Sequence, residues 1–323
     1  MTKIAYIFPG QGSQAVGMGQ NLCAHSKAAQ AIFDDADGII GTKLSTICFY
    51  GPEEALRQTI YTQPALYVTS VAALSALQEV GAPVPEAVAG HSVGEYAALF
   101  AAGAFDFETG LHLVARRAQE MHRATLAAPG TMAAVLGLSG PEVAAACAEA
   151  EASGAGLVQA ANYNGGGQVV ISGSPDGIAK ASEIAKTNGA KRVVPLNVSG
   201  AFHSRLMSPA VEAMQYALGD AVVQSASIPI VANLTADYET QPDQIKANLA
   251  AQIDHPVRWE ESISRLVADG FDTFVEVGSG TVLAGLMKRL APEATVFSVG
   301  NSEGVKAFTE AMPTMLKNSS AGS

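Results

Sequence analysis

Ser92 lies in Gly90-His91-Ser92-Val93-Gly94, a G-x-S-x-G run that can present a serine as a nucleophile. The chemistry accounts for the glycines, because a serine on a sharp strand-to-helix turn needs neighbours without side chains. Such a turn also aims the amide of Val93, with the helix dipole behind it, at the place where an oxyanion would form. The flanks agree: Ala87-Val88-Ala89 precedes the run and the helix-forming Glu95–Ala102 follows it. The pattern alone is cheap. Gly300-Asn301-Ser302-Glu303-Gly304 also matches, again between a strand and a helix. There Glu303 would put a negative charge beside a developing oxyanion, the wrong sign for catalysis, and Ser302 reads as a helix N-cap.

A second candidate is Gly10-Gln11-Gly12-Ser13-Gln14, which follows the first strand. It reads G-x-G-x-x-A, and Asp34-Asp35 stand at about the distance of a ribose-binding acid. They fall in a helical pattern, not at the end of a second strand, which argues against a dinucleotide site. The better chemistry is acyl transfer: the glycines let backbone approach a reacting carbonyl, and Gln11 carries an amide donor. A tight turn with a solvated Gln is the plain alternative.

These residues need a frame. Short apolar runs alternate with longer helical patterns, which predicts an α/β fold with a mainly parallel sheet. Strands are expected at Ile4–Phe8, Ala87–Gly90, Ile228–Ala232, Thr273–Val277 and Ala294–Val299. Helices are expected at Val93–Ala102, Asp106–Thr125 (capped by Asp106 or Thr109), Val257–Asp269, Val282–Leu290 and Glu303–Leu316. A loop after the first strand and an elbow after the second would share the carboxyl edge of such a sheet. Between Thr131 and Leu196 the order becomes β-α-β-β-α-β, the ferredoxin-like unit. The reading is therefore a large catalytic domain over 1–126 and 197–317, a small domain inserted at 127–196, and a flexible tail at 318–323.

Bulk properties bound the function. In 323 residues, 48% are hydrophobic and 15% charged, enough apolar material for a packed core. A net charge of −11 opposes broad nucleic-acid binding. Cys23, Cys48 and Cys147 are odd in number with no C-x-x-C spacing, so neither a disulfide framework nor a metal site is indicated and a cytoplasmic setting fits. The N-terminal apolar run is too short for a signal peptide, and Ala65–Leu77, the longest uncharged apolar stretch considered, is too short to span a membrane.

Three motifs then occur in order: F-P-G-Q-G-S-Q at Phe8–Gln14, G-H-S-V-G-E at Gly90–Glu95 and G-A-F-H-S at Gly200–Ser204. Together they resemble the malonyl-CoA:acyl carrier protein transacylases and the related acyltransferase domains of polyketide and fatty acid synthases, over Ile4 to about Leu290. The resemblance implies an α/β-hydrolase-like large domain with a ferredoxin-like small one. It makes Ser92 the acylated nucleophile, His203 its general base, and Arg117 the grip on a malonyl carboxylate. Gln11 and the Val93 amide take the oxyanion hole, and the main-chain carbonyl of Gln252 orients the histidine. Substrate would be malonyl-CoA, with phosphopantetheine carried by a partner and no cofactor of the enzyme's own.

The residues themselves agree with those roles. Of six histidines, His25, His112 and His122 fall in helical patterns, His255 precedes a proline, and His91 adjoins the serine on a turn where neighbours point apart. His91 can line the pocket; His203, in a Gly/Ser-rich loop, is left to be the base. Arg116 and Arg117 face about 100° apart on one helix, so one can enter the cleft while the other meets solvent, and the planar guanidinium fork suits a carboxylate. Met121, on the same helix, joins the substrate-binding candidates. Phe202 before the histidine leaves no room for a methyl branch, which favours malonyl over methylmalonyl. Lys191-Arg192 and Lys288-Arg289 are the candidate docking patch for an acidic carrier protein. The rival readings are a serine hydrolase that passes the acyl group to water and a non-catalytic subunit that docks on a synthase.

Overall fold

Alternation within Ile4–Phe8 (β1) sets up the two sides of the large sheet: Ile4, Tyr6 and Phe8 enter one apolar cluster, Ala5 and Ile7 another. The computed structural model describes residues 2–320, with side chains described to Met312. After β1 come α1 (Gln20–His25), α2 (Lys27–Ile40), α3 (Leu44–Tyr50), α4 (Glu53–Leu56) and α5 (Thr59–Glu79), a helical stretch not read from the sequence beyond the pattern around Asp34. Asp34 and Asp35 are exposed on α2, away from any strand end. Nearly all of α5 is buried, so its apolar Ala65–Leu77 run belongs to a core helix. Among the described residues no helix is long and apolar enough to cross a membrane.

Next are β2 (Ala87–Gly90), α6 (Gly94–Ala101) and α7 (Phe107–Ala127). Asp106 supplies the α7 cap, its carboxylate accepting the Thr109 N–H at 2.8 Å. The middle of the chain forms β3 (Thr131–Leu136), α8 (Gly140–Ala152), β4 (Val158–Gly165), β5 (Gln168–Gly173), α9 (Pro175–Thr187) and β6 (Arg192–Pro195). Their antiparallel sheet has the order β4-β5-β3-β6. One face of it (Ala133, Val135, Val169, Ile171) packs with residues of α8 and α9. The other (Met132, Ala134, Val170) turns toward the main core.

The chain then continues as α10 (Ser208–Asp220), β7 (Ile230–Val231), β8 (Tyr238–Glu239), α11 (Pro242–Ala251), α12 (Trp259–Ala268), β9 (Thr273–Val277), α13 (Val282–Leu290), β10 (Thr295–Val299) and α14 (Ser302–Ser320). The large sheet runs β10-β9-β1-β2-β7-β8, parallel except for the β7–β8 pair. The fold is thus α/β, with a mainly parallel sheet and a small antiparallel one.

Three expectations need correction. The helix placed at Val257–Asp269 starts only at Trp259, because Val257 pairs with β4: its N–H meets the Ala161 carbonyl at 2.8 Å and its carbonyl takes the Tyr163 N–H at 2.9 Å. The cap of α14 is Asn301, whose side-chain oxygen accepts the Gly304 N–H at 2.8 Å, so Ser302 is the first helical residue and not the cap. That helix runs on to Ser320, past the expected end at Leu316; residues 321–323 of the expected tail lie outside the described residues.

Candidate active site

Register brings the two glycine motifs together. Phe8 pairs with Gly90 across β1 and β2, so the loops leaving both strands emerge side by side at one sheet edge. A Cβ on Gly94 would strike the Phe8 carbonyl, and one on Gly10 would strike the His91 carbonyl. The bend leaves Ser92 at φ 54, a left-handed conformation that costs a non-glycine residue about 1–3 kcal/mol and must be held by its surroundings. Asn233, just beyond β7, does much of the holding. Its side-chain oxygen accepts the Ser92 N–H at 2.7 Å, and its amide nitrogen donates to the Gly90 carbonyl at 2.5 Å.

His203 meets that serine from the loop after β6. Ser92 Oγ lies 2.7 Å from His203 Nε2, and His203 Nδ1 lies 2.8 Å from the carbonyl of Gln252. A carbonyl only accepts, so Nδ1 carries the hydrogen and Nε2 offers its lone pair to the serine hydroxyl. The imidazole is 3% exposed. Burial, and then the charge of Arg117, push its pKa down to about 3, which keeps the ring neutral. His203 also sits at φ 58, and Gln159 of β4 donates to its carbonyl at 3.3 Å.

The α7 pair divides as helical geometry requires. Arg116 faces outward and pairs with Glu120 at 3.0 Å, while Arg117 is 1% exposed in the cleft. Arg117 donates through Nη1 to Gln63 Oε1 at 2.5 Å, and through Nη2 to Gln252 Oε1 at 2.8 Å and Ser92 Oγ at 3.1 Å. Its Nε has no partner among the described residues. The guanidinium is therefore positioned by neutral groups and retains a donor for an incoming acid.

A cleft of about 340 Å³ joins these groups between the elbow and the small sheet. Gln11, Val93, Met121, Phe202 and His91 line it. His91 Nε2 contacts Asn164 Oδ1 at 2.9 Å and its ring packs on Trp259, so it points away from the serine. The backbone N–H groups of Gln11 and Val93 donate to no acceptor among the described residues, and Val93 immediately precedes α6. The Gln11 side-chain oxygen accepts from Thr59 Oγ1 only at 3.5 Å. Lys191, Arg192, Lys288 and Arg289 are all exposed. Arg289 donates to Gln168 Oε1 at 3.1 Å, and Gln168 lines the cleft. Lys191 packs along Gly137, whose N–H binds the Gly167 carbonyl at 2.7 Å. Lys191 and Arg289 thus lie on either side of the β4–β5 turn, beside the cleft. Elsewhere, Ser302 sits at the start of α14 with Glu303 at 3.2 Å, and His255 is exposed beside Asp254.

Sequence reasoning missed several polar residues that hold this arrangement: Gln63, Asn233, Gln159 and the side chains of Glu95 and Gln252. Gln63 left a faint signal, an amide just ahead of the apolar run that starts at Ala65. Glu95 closed the quoted motif without a role. Asn233 and Gln159 left none, since only tertiary structure brings them to the elbow and the histidine loop.

The acyl transferase domain model matches residues 5–319 of the chain. The malonyl CoA-acyl carrier protein transacylase of Bacillus subtilis is 44% identical over 306 residues, 95% of this chain and 96% of that protein. A crystal structure of an acyl-carrier-protein S-malonyltransferase from Burkholderia pseudomallei superposes with a TM-score of 0.91 at 41% identity, covering 95% of this chain and all (100%) of that one. A malonyl-transacylase solved in complex with its type II polyketide acyl-carrier protein gives a TM-score of 0.92 at 35% identity, over 96% and 99% of the two chains. The chain belongs to the acyl transferase family, alongside the malonyl CoA-acyl carrier protein transacylases.

Proposed function

We propose that this protein moves a malonyl group from malonyl-CoA to the phosphopantetheine thiol of an acyl carrier protein, for fatty acid or polyketide synthesis, through an ester on Ser92. The observation that carries the reading is one hydroxyl held 2.7 Å from a neutral imidazole and 3.1 Å from a buried guanidinium. The first distance suits a general base and its nucleophile. The second suits a substrate whose carboxylate lies close to its reacting carbonyl, as in malonyl. The relatives named above support the same substrate and the same partner.

In the first half-reaction Ser92 Oγ attacks the thioester carbonyl as its proton passes to His203 Nε2. The backbone N–H groups of Gln11 and Val93 take the developing oxyanion, and the thiol of CoA leaves with the proton. In the second, the carrier's thiol gives its proton to His203 and attacks the seryl ester, which restores the hydroxyl. Serine ester and thioester are close in energy, so positioning and charge stabilisation carry the step and the enzyme brings no cofactor of its own. Phe202 and Met121 shape the acyl pocket, and His91 forms its wall. The exposed Lys191, Arg192, Lys288 and Arg289 steer the carrier to the cleft mouth, and the site of action is the cytoplasm. The test loads the enzyme with malonyl-CoA and adds holo- or apo-carrier protein. A malonyl mass gain on the holo form alone is expected; equally fast release of free malonate without any carrier would make the protein a hydrolase instead.

A further inference from the structure

Every hydrogen bond of the buried Arg117 goes to an uncharged acceptor. A guanidinium removed from water needs a negative charge close by. Glu95, 1% exposed in the first turn of α6, is placed to supply it. Its Oε1 accepts the Asn233 N–H at 2.9 Å, and its Oε2 accepts from Gln252 Nε2. The Gln252 amide therefore stands between the two charges, its oxygen on the guanidinium and its nitrogen on the carboxylate, the orientation each prefers. Behind Glu95 lies Glu239 of β8, 2% exposed, with Oε2 accepting from Asn248 Nδ2 at 2.6 Å and Oε1 without a partner among the described residues. Among the described residues Tyr96 is a further ionisable group beside Glu95, and the guanidinium lies over its ring at 6.0 Å. Burial raises both carboxyls, and Glu239 raises Glu95 further. Set behind one buried guanidinium, the carboxyl pair balances its charge when the two carry a single negative charge between them.

We propose that Glu95, sharing its charge with Glu239, is the counter-charge of Arg117 in the unloaded enzyme and takes up a proton when a malonyl carboxylate reaches Arg117. The inference rests on the malonyl reading above. Before loading, the guanidinium and one ionised carboxylate cancel. The malonyl carboxylate then adds a second negative charge to the same buried cluster, and a proton from solvent removes it. Acyl transfer itself is proton-neutral, because the serine proton leaves on the thiol of CoA. An acetyl group brings no carboxylate and leaves the pair ionised. Glu95 thus acts through Gln252 and Arg117 as a positioning residue, and it makes loading of a charged acyl group sensitive to pH.

The test mixes full-length enzyme with stoichiometric malonyl-CoA in lightly buffered solution near neutral pH, with an indicator dye for protons and intact mass for malonyl. Uptake should approach one proton per malonyl loaded. The loading equilibrium should move toward malonyl-enzyme by up to about tenfold per unit fall in pH. Glu95→Gln keeps the size of the side chain and removes its ionisable proton, at the loss of one acceptor, and its loaded fraction should take up few or no protons. Malonyl loading with no proton uptake and a pH-independent equilibrium in the wild type would overturn the inference alone. So would undiminished uptake by loaded Glu95→Gln. Absence of any malonyl adduct on the wild type would overturn the malonyl reading as well.

Discussion

At the scale of single residues, the chemistry depends on the protonation state of one ring and the pairing of one cation. In the proposed mechanism the unprotonated His203 is the base, and its pKa stands far below the ordinary value of about 6.5. Lowering the pH from about 8 to about 5 therefore leaves it unprotonated. The kcat/KM of the malonyl-CoA half-reaction should not fall across that range; an acid-side loss centred near the ordinary histidine value would contradict the burial argument. His203→Ala should slow acylation by about 10²–10⁴-fold, the usual contribution of a positioned base, as read by stopped-flow release of CoA. For Arg117→Ala, the loss of the charge-assisted hydrogen bond to the malonyl carboxylate should narrow the preference for malonyl- over acetyl-CoA by about 10–10²-fold, measured as a ratio of kcat/KM values.

At the scale of elements, the site is a meeting of loop ends fixed by strand register. Asn233 ties the loop after β7 to the elbow after β2, and its own N–H is received by Glu95. Asn233→Ala leaves the Ser92 N–H and the Gly90 carbonyl without that partner. It should lower unfolding stability by about 1–3 kcal/mol, read from denaturant midpoints, and slow acylation besides. The elements that carry motifs were legible in the sequence because local signals mark them. β1 and β2 are short apolar runs ended by glycine, and α7 begins at a capping aspartate. The β-α-β-β-α-β rhythm likewise showed through its alternation of apolar runs and helical patterns. What stayed hidden is non-local. The start of α12 is set by Val257 pairing with β4, and the two-residue strand β8 is too short to leave a period, whereas β7 falls inside the expected run Ile228–Ala232. Among site residues, Ser92 and His203 could be found from their motifs, and Arg117 was separated from Arg116 only through the family resemblance. Glu95 and Asn233 act through contacts that span more than a hundred residues of chain, as in the Asn233-to-Glu95 bond with a separation of 138.

At the scale of the whole molecule, an enzyme of net charge −11 can attract a negatively charged partner only through a local reversal of sign, as the proposed carrier docking requires. Exposed Lys191 and Arg289 flank the β4–β5 turn, with Gln168 linking Arg289 to the cleft lining. Arg192→Glu with Lys288→Glu should raise the KM for carrier protein more than the KM for malonyl-CoA, and should weaken the salt dependence of transfer, both read from steady-state rates. The two sheets also share responsibility for the site, since the parallel sheet supplies the serine while β4 steadies the loop that holds the histidine. All of this converges on whether the Ser92 hydroxyl carries a malonyl ester. Intact mass after exposure to malonyl-, methylmalonyl- and acetyl-CoA measures that directly. The account predicts a malonyl increment on the wild type, little or none from the other two donors, and none on Ser92→Ala. A malonyl increment that persists on Ser92→Ala, or that never forms on the wild type, would contradict it.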